Sequence, residues 1–161
     1  MTIKAGDRIP DVTVTVMGKN GPEPVKTADY FKGRKVALFS VPGAFTPTCH
    51  AKHLPGFVSH FDELKAKGVD AVAVTAVNDV FTLDAWLKDR GAAGKIDGLA
   101  DGSAVLAKAM GVELDLAEFG LGVRGKRYSA VVTDGVVDWI NIEENSSLAT
   151  VSSAESTLEK L

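Results

Sequence analysis

One side chain in this sequence is a candidate nucleophile. Cys49 is the only cysteine among 161 residues, and it closes the run Val41-Pro42-Gly43-Ala44-Phe45-Thr46-Pro47-Thr48-Cys49. The reactive form of cysteine is the thiolate, and an ordinary thiol is only about 3% ionised at pH 7. Chemistry at such a residue needs a neighbour that favours the anion. The first turn of a helix supplies unpaired N–H groups and the positive end of the helix dipole, and Pro42 and Pro47 help to locate such a start here. Thr46, three residues before Cys49, can bring its hydroxyl beside the sulfur, where it either accepts a proton from a bound oxygen or donates one to it.

The elements around this run position it. Valine alternates with polar residues over 11–17, and the turn residues of 18–22 follow, so a hairpin returning through 24–26 is expected. Thr27 can cap a short helix that Gly33 closes. Residues 35–41 form a continuous apolar run, as in a strand covered on both faces. After Pro47, the residues Leu54, Phe57, Val58, Phe61 and Leu64 recur at helical spacing and predict one long helix ending at Gly68. A buried strand over 69–77, a helix over 81–90, a short strand near 96–100 and a helix over 103–110 come next. Two β-rich runs, 128–133 and 136–142, flank Asp134-Gly135, a strong hairpin signal, and 153–161 fits a last short helix. This order predicts an α/β fold of thioredoxin-like type in a single domain, residues 1–161. Its mixed central sheet is flanked by helices and extended by an N-terminal hairpin. Cys49 then leaves the carboxyl end of a central strand, where reactive groups of open α/β sheets gather.

Composition narrows the function. The net charge is −3, and no basic stripe is present to follow a phosphate backbone, so nucleic acid is not an expected partner. Residues 1–10 lack an apolar stretch and the longest apolar runs are too short to span a bilayer, so no membrane association is expected. With one cysteine and no intramolecular disulfide available, a reducing, cytoplasmic location is the expectation.

Other patterns have simpler readings. A lone cysteine after a buried strand is by itself usually an inert small hydrophobe. Cys49, His50 and His53 invite a metal site, but three ligands without a second cysteine are few, and Pro55 disturbs the helical spacing. His53 reads better as a structural residue or a support for the site. Gly120-x-Gly122-x-x-Gly125 matches a dinucleotide fingerprint by letter, yet it precedes a strand instead of opening a helix. It reads as a loop, and Arg127 just after it reads by itself as a solvated cation at a strand end. The sequon Asn145-Ser-Ser147 matters only in a secreted protein.

Taken together, Pro42-x-x-x-Thr46-x-x-Cys49 resembles the active-site signature of peroxiredoxins. Pro42-Gly-Ala-Phe-Thr-Pro-Thr-Cys49 followed by His53-Leu-Pro-Gly-Phe57 resembles the type II, peroxiredoxin-5-like subfamily. Val77-Asn-Asp79 with Phe81 and Trp86, Leu99-Ala-Asp-Gly102, and Lys126-Arg-Tyr-Ser129 with Asp134-Gly135 extend the similarity over nearly the whole chain. The resemblance implies a thiol-specific peroxidase for hydrogen peroxide and alkyl hydroperoxides that uses no metal, haem or flavin. Cys49 would be the peroxidatic cysteine, oxidised to a sulfenic acid that Pro42 shields. Thr46 would hydrogen-bond the peroxide, and Arg127 would stabilise thiolate and transition state. Some members carry a second, resolving cysteine late in the chain, where this sequence has only serines, threonines and Val151. The implied cycle is a one-cysteine mechanism recycled by an external thiol, glutathione with glutaredoxin or else thioredoxin. A homodimer formed through loops around Phe45 and 79–81 is also implied. The alternative is a thioredoxin-like redox relay or disulfide-exchange protein, against which stands Thr46 in place of the first cysteine of a Cys-x-x-Cys motif.

Overall fold

A computed structural model describes all 161 residues, Met1–Leu161. Strands β1 (Thr13–Gly18) and β2 (Gly21–Lys26) form the N-terminal hairpin, and helix α1 (Thr27–Phe31) follows. Strand β3 (Lys35–Ser40) leads to a π-helical turn over Cys49–His53, then α2 (Leu54–Ser59) and α3 (Phe61–Ala66). The chain continues through β4 (Ala71–Ala76), α4 (Val80–Asp89), β5 (Ile96–Ala100), α5 (Val105–Met110), β6 (Glu113–Leu116), β7 (Gly122–Gly125), β8 (Tyr128–Thr133), β9 (Val136–Ile142) and α6 (Ala154–Leu158).

Seven strands make one sheet in the order β2-β1-β5-β4-β3-β8-β9. The β3–β4 and β4–β5 pairs are parallel, and the β3–β8 and β8–β9 pairs are antiparallel. This is the mixed α/β arrangement expected. The interior strand β3, beside the central β4, is the apolar run noted above, and its side chains alternate between two cores. Ala37 and Phe39 point into the layer that holds Leu54, Phe57, Trp86 and Cys49, and Val41 just beyond the strand joins them. Val36 and Leu38 point into the layer of Phe31, Leu106, Met110 and Tyr128. A strand buried on both faces needs apolar residues at every position, which explains the unbroken run.

Three expectations change. Thr27 does not cap α1: it is the first helical residue, and its hydroxyl donates to the Pro10 carbonyl at 2.6 Å and accepts from the Val12 N–H at 3.0 Å, fastening α1 to the segment before β1. The single helix predicted after Pro47 is three pieces. Its first turn is widened, with the Leu54 N–H reaching the Cys49 carbonyl. Pro55 has no N–H for the carbonyl of Ala51, and its ring would press on that carbonyl in a regular helix, so a wider turn relieves the conflict. A second break comes at His60, whose backbone leaves helical values (φ −98°, ψ 10°). Finally, the glycine-rich stretch expected as a loop contains strand β7, which pairs with β6 in a separate two-stranded sheet.

Candidate active site

Cys49 leaves the carboxyl end of β3 by way of the Pro42–Thr48 loop, and its sulfur is fully buried. The loop is tightly wound. Gly43 is buried in it, and a Cβ there would come within 3.0 Å of the Thr46 methyl and 3.3 Å of Arg124 Nη1. Phe45 adopts a left-handed backbone (φ 62°), unusual for a bulky residue, and its ring lies outward against the His50 imidazole at 5.7 Å. Asn78 holds the loop from the next strand end, its side-chain oxygen accepting from the Ala44 N–H at 2.9 Å.

Arg127 enters from the residue before β8. Although 78 positions from Cys49 in sequence, its Nη2 donates to Cys49 Sγ at 2.9 Å. The guanidinium is buried at 2% exposure, and none of the protein's ion pairs includes it. Neutral acceptors orient its other nitrogens. Nε donates to the Ser146 carbonyl at 3.0 Å, and Nη1 meets His53 Nδ1 at 2.8 Å. His53 Nε2 lies 2.9 Å from the Ser152 carbonyl, which can only accept, so Nε2 carries the proton and Nδ1 accepts from arginine. The imidazole stays neutral: burial first, then the neighbouring Arg127 charge, holds it down to about 3. The structural and supporting part expected of His53 matches this placement.

Thr46 lies in the loop as predicted, but its hydroxyl bonds the Gly43 carbonyl, at 2.6 Å, and not the sulfur. Its proton is therefore committed, and its lone pairs remain free to accept. The Pro42 ring precedes this turn, and the Pro42 carbonyl accepts a long contact from Arg124 Nη1 at 3.5 Å. His50 and His53 do not converge on one point: His50 Nδ1 accepts from the Trp86 indole at 3.1 Å, while His53 faces Arg127. The structure thus brings Cys49, Arg127 and His53 into one bonded chain, with Pro42 and Thr46 in the loop leading to it. Sequence reasoning missed the Ser146 and Ser152 carbonyls, since a backbone acceptor has no residue-type signature. It also missed Glu143, whose side chain shapes their loop.

The Redoxin family profile matches residues 4–158. A rice (Oryza sativa subsp. japonica) protein, "Peroxiredoxin-2E-2, chloroplastic", is 48% identical over 166 residues, covering 99% of this chain and 73% of the relative. The chain belongs to the peroxiredoxin family. It is an oxidoreductase, a peroxidase of thioredoxin-like fold, and the type II resemblance holds. The structure of reduced Prx3 from Vibrio vulnificus in complex with H2O2 superposes with a TM-score of 0.94 at 43% identity, over 99% of both chains. A 1-Cys peroxiredoxin from Plasmodium falciparum superposes at 0.89 and 28% identity, over 98% of both. The names of the rice protein and of an Arabidopsis thaliana relative place both in the chloroplast. These names overturn the cytoplasmic expectation. A cysteine count reports redox conditions, not an address, so it could not separate two reducing compartments. No helix of this peroxiredoxin is long and apolar enough to cross a membrane.

Proposed function

We propose that this peroxiredoxin reduces hydrogen peroxide and alkyl hydroperoxides through Cys49 alone, with residues 1–161 acting as one catalytic unit. The observation that carries the reading is the Arg127 guanidinium, buried without a carboxylate and aimed at Cys49 Sγ from 2.9 Å. A buried cation without a counter-ion is costly, and ionising the adjacent thiol provides one. The thiolate then attacks the terminal oxygen of the hydroperoxide. An S–O bond forms as the O–O bond breaks, sulfur is oxidised to the sulfenic acid, and the leaving oxygen departs as water or alcohol once protonated. With its own proton held by Gly43, Thr46 acts as acceptor for the peroxide O–H and so fixes its direction of approach. Arg127 offsets the negative charge as it passes from sulfur to the leaving oxygen. The Pro42 ring shields the sulfenic acid from water.

No second cysteine exists to resolve that acid, so an external thiol condenses with it, releasing water, and a second thiol frees Cys49. Glutathione with glutaredoxin is the leading reductant and thioredoxin the second. Because the sulfur is buried, a thiol of that size reaches it only when the Cys49–His53 turn opens. A small hydroperoxide suits this buried sulfur better than a protein disulfide does, which favours peroxidase over redox relay. The working unit is a homodimer that covers the outward rings of Phe45, 49% exposed, and Phe81, 63% exposed. The test is peroxide consumption by the wild type and Cys49→Ser with each reductant, with the mass of Cys49 read after one equivalent of peroxide. Activity is expected only in the wild type, with a mixed disulfide in the presence of glutathione; equal activity in both proteins sinks the proposal.

A further inference from the structure

The sequence-level site ends at Arg127, yet the arginine is itself held by a loop, residues 144–152, that nothing in the reaction scheme accounts for. That loop supplies three carbonyls to the site: Ser146 to Arg127 Nε at 3.0 Å, Ser152 to His53 Nε2 at 2.9 Å, and Ser147 to the Thr48 hydroxyl at 2.7 Å. Two of these fix the groups that aim the guanidinium, and the third fixes the residue before the nucleophile. The loop has no ladder hydrogen bonds of its own to set its shape. Asn145 turns its first part, Oδ1 accepting from the Ser147 N–H at 3.0 Å and the Ser147 hydroxyl at 2.6 Å, and a buried side chain sets the part that follows. Glu143, 5% exposed, directs its carboxylate into the loop, where Oε2 accepts from the Thr150 N–H at 2.8 Å, the Ser152 N–H at 2.8 Å and the Ser152 hydroxyl at 2.6 Å. Oε1 takes the Thr150 hydroxyl at 3.3 Å. The backbone N–H of Glu143 donates to the Arg127 carbonyl at 2.9 Å, so one residue contacts the arginine's main chain and shapes the end of the loop that holds His53.

A buried carboxylate is expensive unless its lone pairs are used. Here they are used on the segment whose carbonyls face the site. We propose that Glu143 is a positioning residue of the peroxidase reaction: its carboxylate folds the 150–152 end of the loop so that the Ser152 carbonyl holds His53, and His53 in turn holds Arg127 with the guanidinium directed at Cys49 Sγ. This deepens the reading of Cys49 and Arg127 given above and rests on it. The role is that of a hydrogen-bond acceptor. Three of the four donors meet one oxygen, and a glutamine places its carbonyl oxygen there and turns its amide toward the Thr150 hydroxyl, which can accept.

The test compares Glu143→Gln, Glu143→Ala and Ser152→Ala in the full chain, each checked for folding by circular dichroism. One readout is kcat/KM for hydrogen peroxide, and the other is the pH profile of iodoacetamide alkylation at Cys49. Glu143→Ala is expected to lower kcat/KM by about tenfold or more and to move the alkylation profile toward alkaline pH, since several bonds to the loop go at once. Glu143→Gln should stay within about threefold of the wild type. Ser152→Ala removes one of the three bonds to Oε2, and should fall between them. A folded Glu143→Ala with unchanged kcat/KM and profile overturns the proposal. If that variant does not fold, an unaltered profile in Ser152→Ala overturns it, as does a glutamine variant as defective as the alanine one. The alkylation profile reads the thiol without any peroxide, so it decides on Glu143 even if Cys49 proves not to be the peroxidatic residue.

Discussion

The neutrality of His53 has a cost that appears when the solution is made acidic, and the variant His53→Gln isolates it. In the folded protein the imidazole is held down to about 3, by burial foremost and by Arg127 next. In the unfolded chain it regains an ordinary value of about 6.5. Between those two values the unfolded chain binds a proton that the folded one does not. Stability therefore falls as pH is lowered through that window and is unaffected by this residue above about pH 7. Each unit is worth about 1.4 kcal/mol, so at pH 5 the wild type should be about 2 kcal/mol less stable than at pH 7.5 on account of His53 alone. Glutamine can donate to the Ser152 carbonyl and accept from Arg127 but takes up no proton, so this loss should vanish in the variant. His60 acts in the opposite sense, because its bonds to Glu63 and Glu155 favour the charged form. Its effect is present in both proteins and cancels in the comparison. Urea unfolding followed by far-ultraviolet circular dichroism at both pH values measures the difference. Losses that agree between the two proteins to within about 0.5 kcal/mol refute the reasoning.

Arg127→Leu removes the buried cation beside Cys49, so in protein that circular dichroism shows to be folded kcat/KM for peroxide should drop by about 100-fold or more. Stopped-flow oxidation of Cys49 checks this, and a loss under about threefold contradicts the charge-stabilising role. The double variant Phe45→Glu, Phe81→Glu places two carboxylates on the rings assigned to the dimer face. Sedimentation velocity should show monomer where the wild type shows dimer, and a persistent dimer rules that face out.

Much of this architecture is legible in the sequence because the deciding signals are local. The apolar run of β3 announces a strand buried on both sides. Asp134-Gly135 announces the β8–β9 hairpin, and both residues take the positive φ such a turn requires, 48° and 80°. The helix α4 begins where Asp79 accepts from the Thr82 N–H at 2.7 Å. The β6–β7 hairpin escapes notice because its strands are four residues each and one begins and ends in glycine, a residue of low strand preference. At the site, Cys49, Thr46 and Pro42 are written in one short run. The π-helical turn is not, since it results from Pro55 competing with the ladder after Cys49. Glu143 is equally silent: a glutamate after a strand reads as a solvated surface residue, and only the folded loop shows its carboxylate enclosed by donors.

The nucleophile and the cation reach each other across a single strand pair. Ser40, the last residue of β3, lies opposite Tyr128, the first of β8, so Cys49 and Arg127 are each carried by chain that leaves the same end of that pair. Their separation is therefore indifferent to the length of most of what lies between them in sequence. The connections between β4, α4, β5, α5 and the β6–β7 hairpin can change in length while the thiol and the guanidinium stay in register, provided that Asn78, Trp86 and Arg124 keep their holds on the loop and turn around Cys49. A peroxidase built this way can change its surface, its partners and its address while leaving its central chemistry untouched.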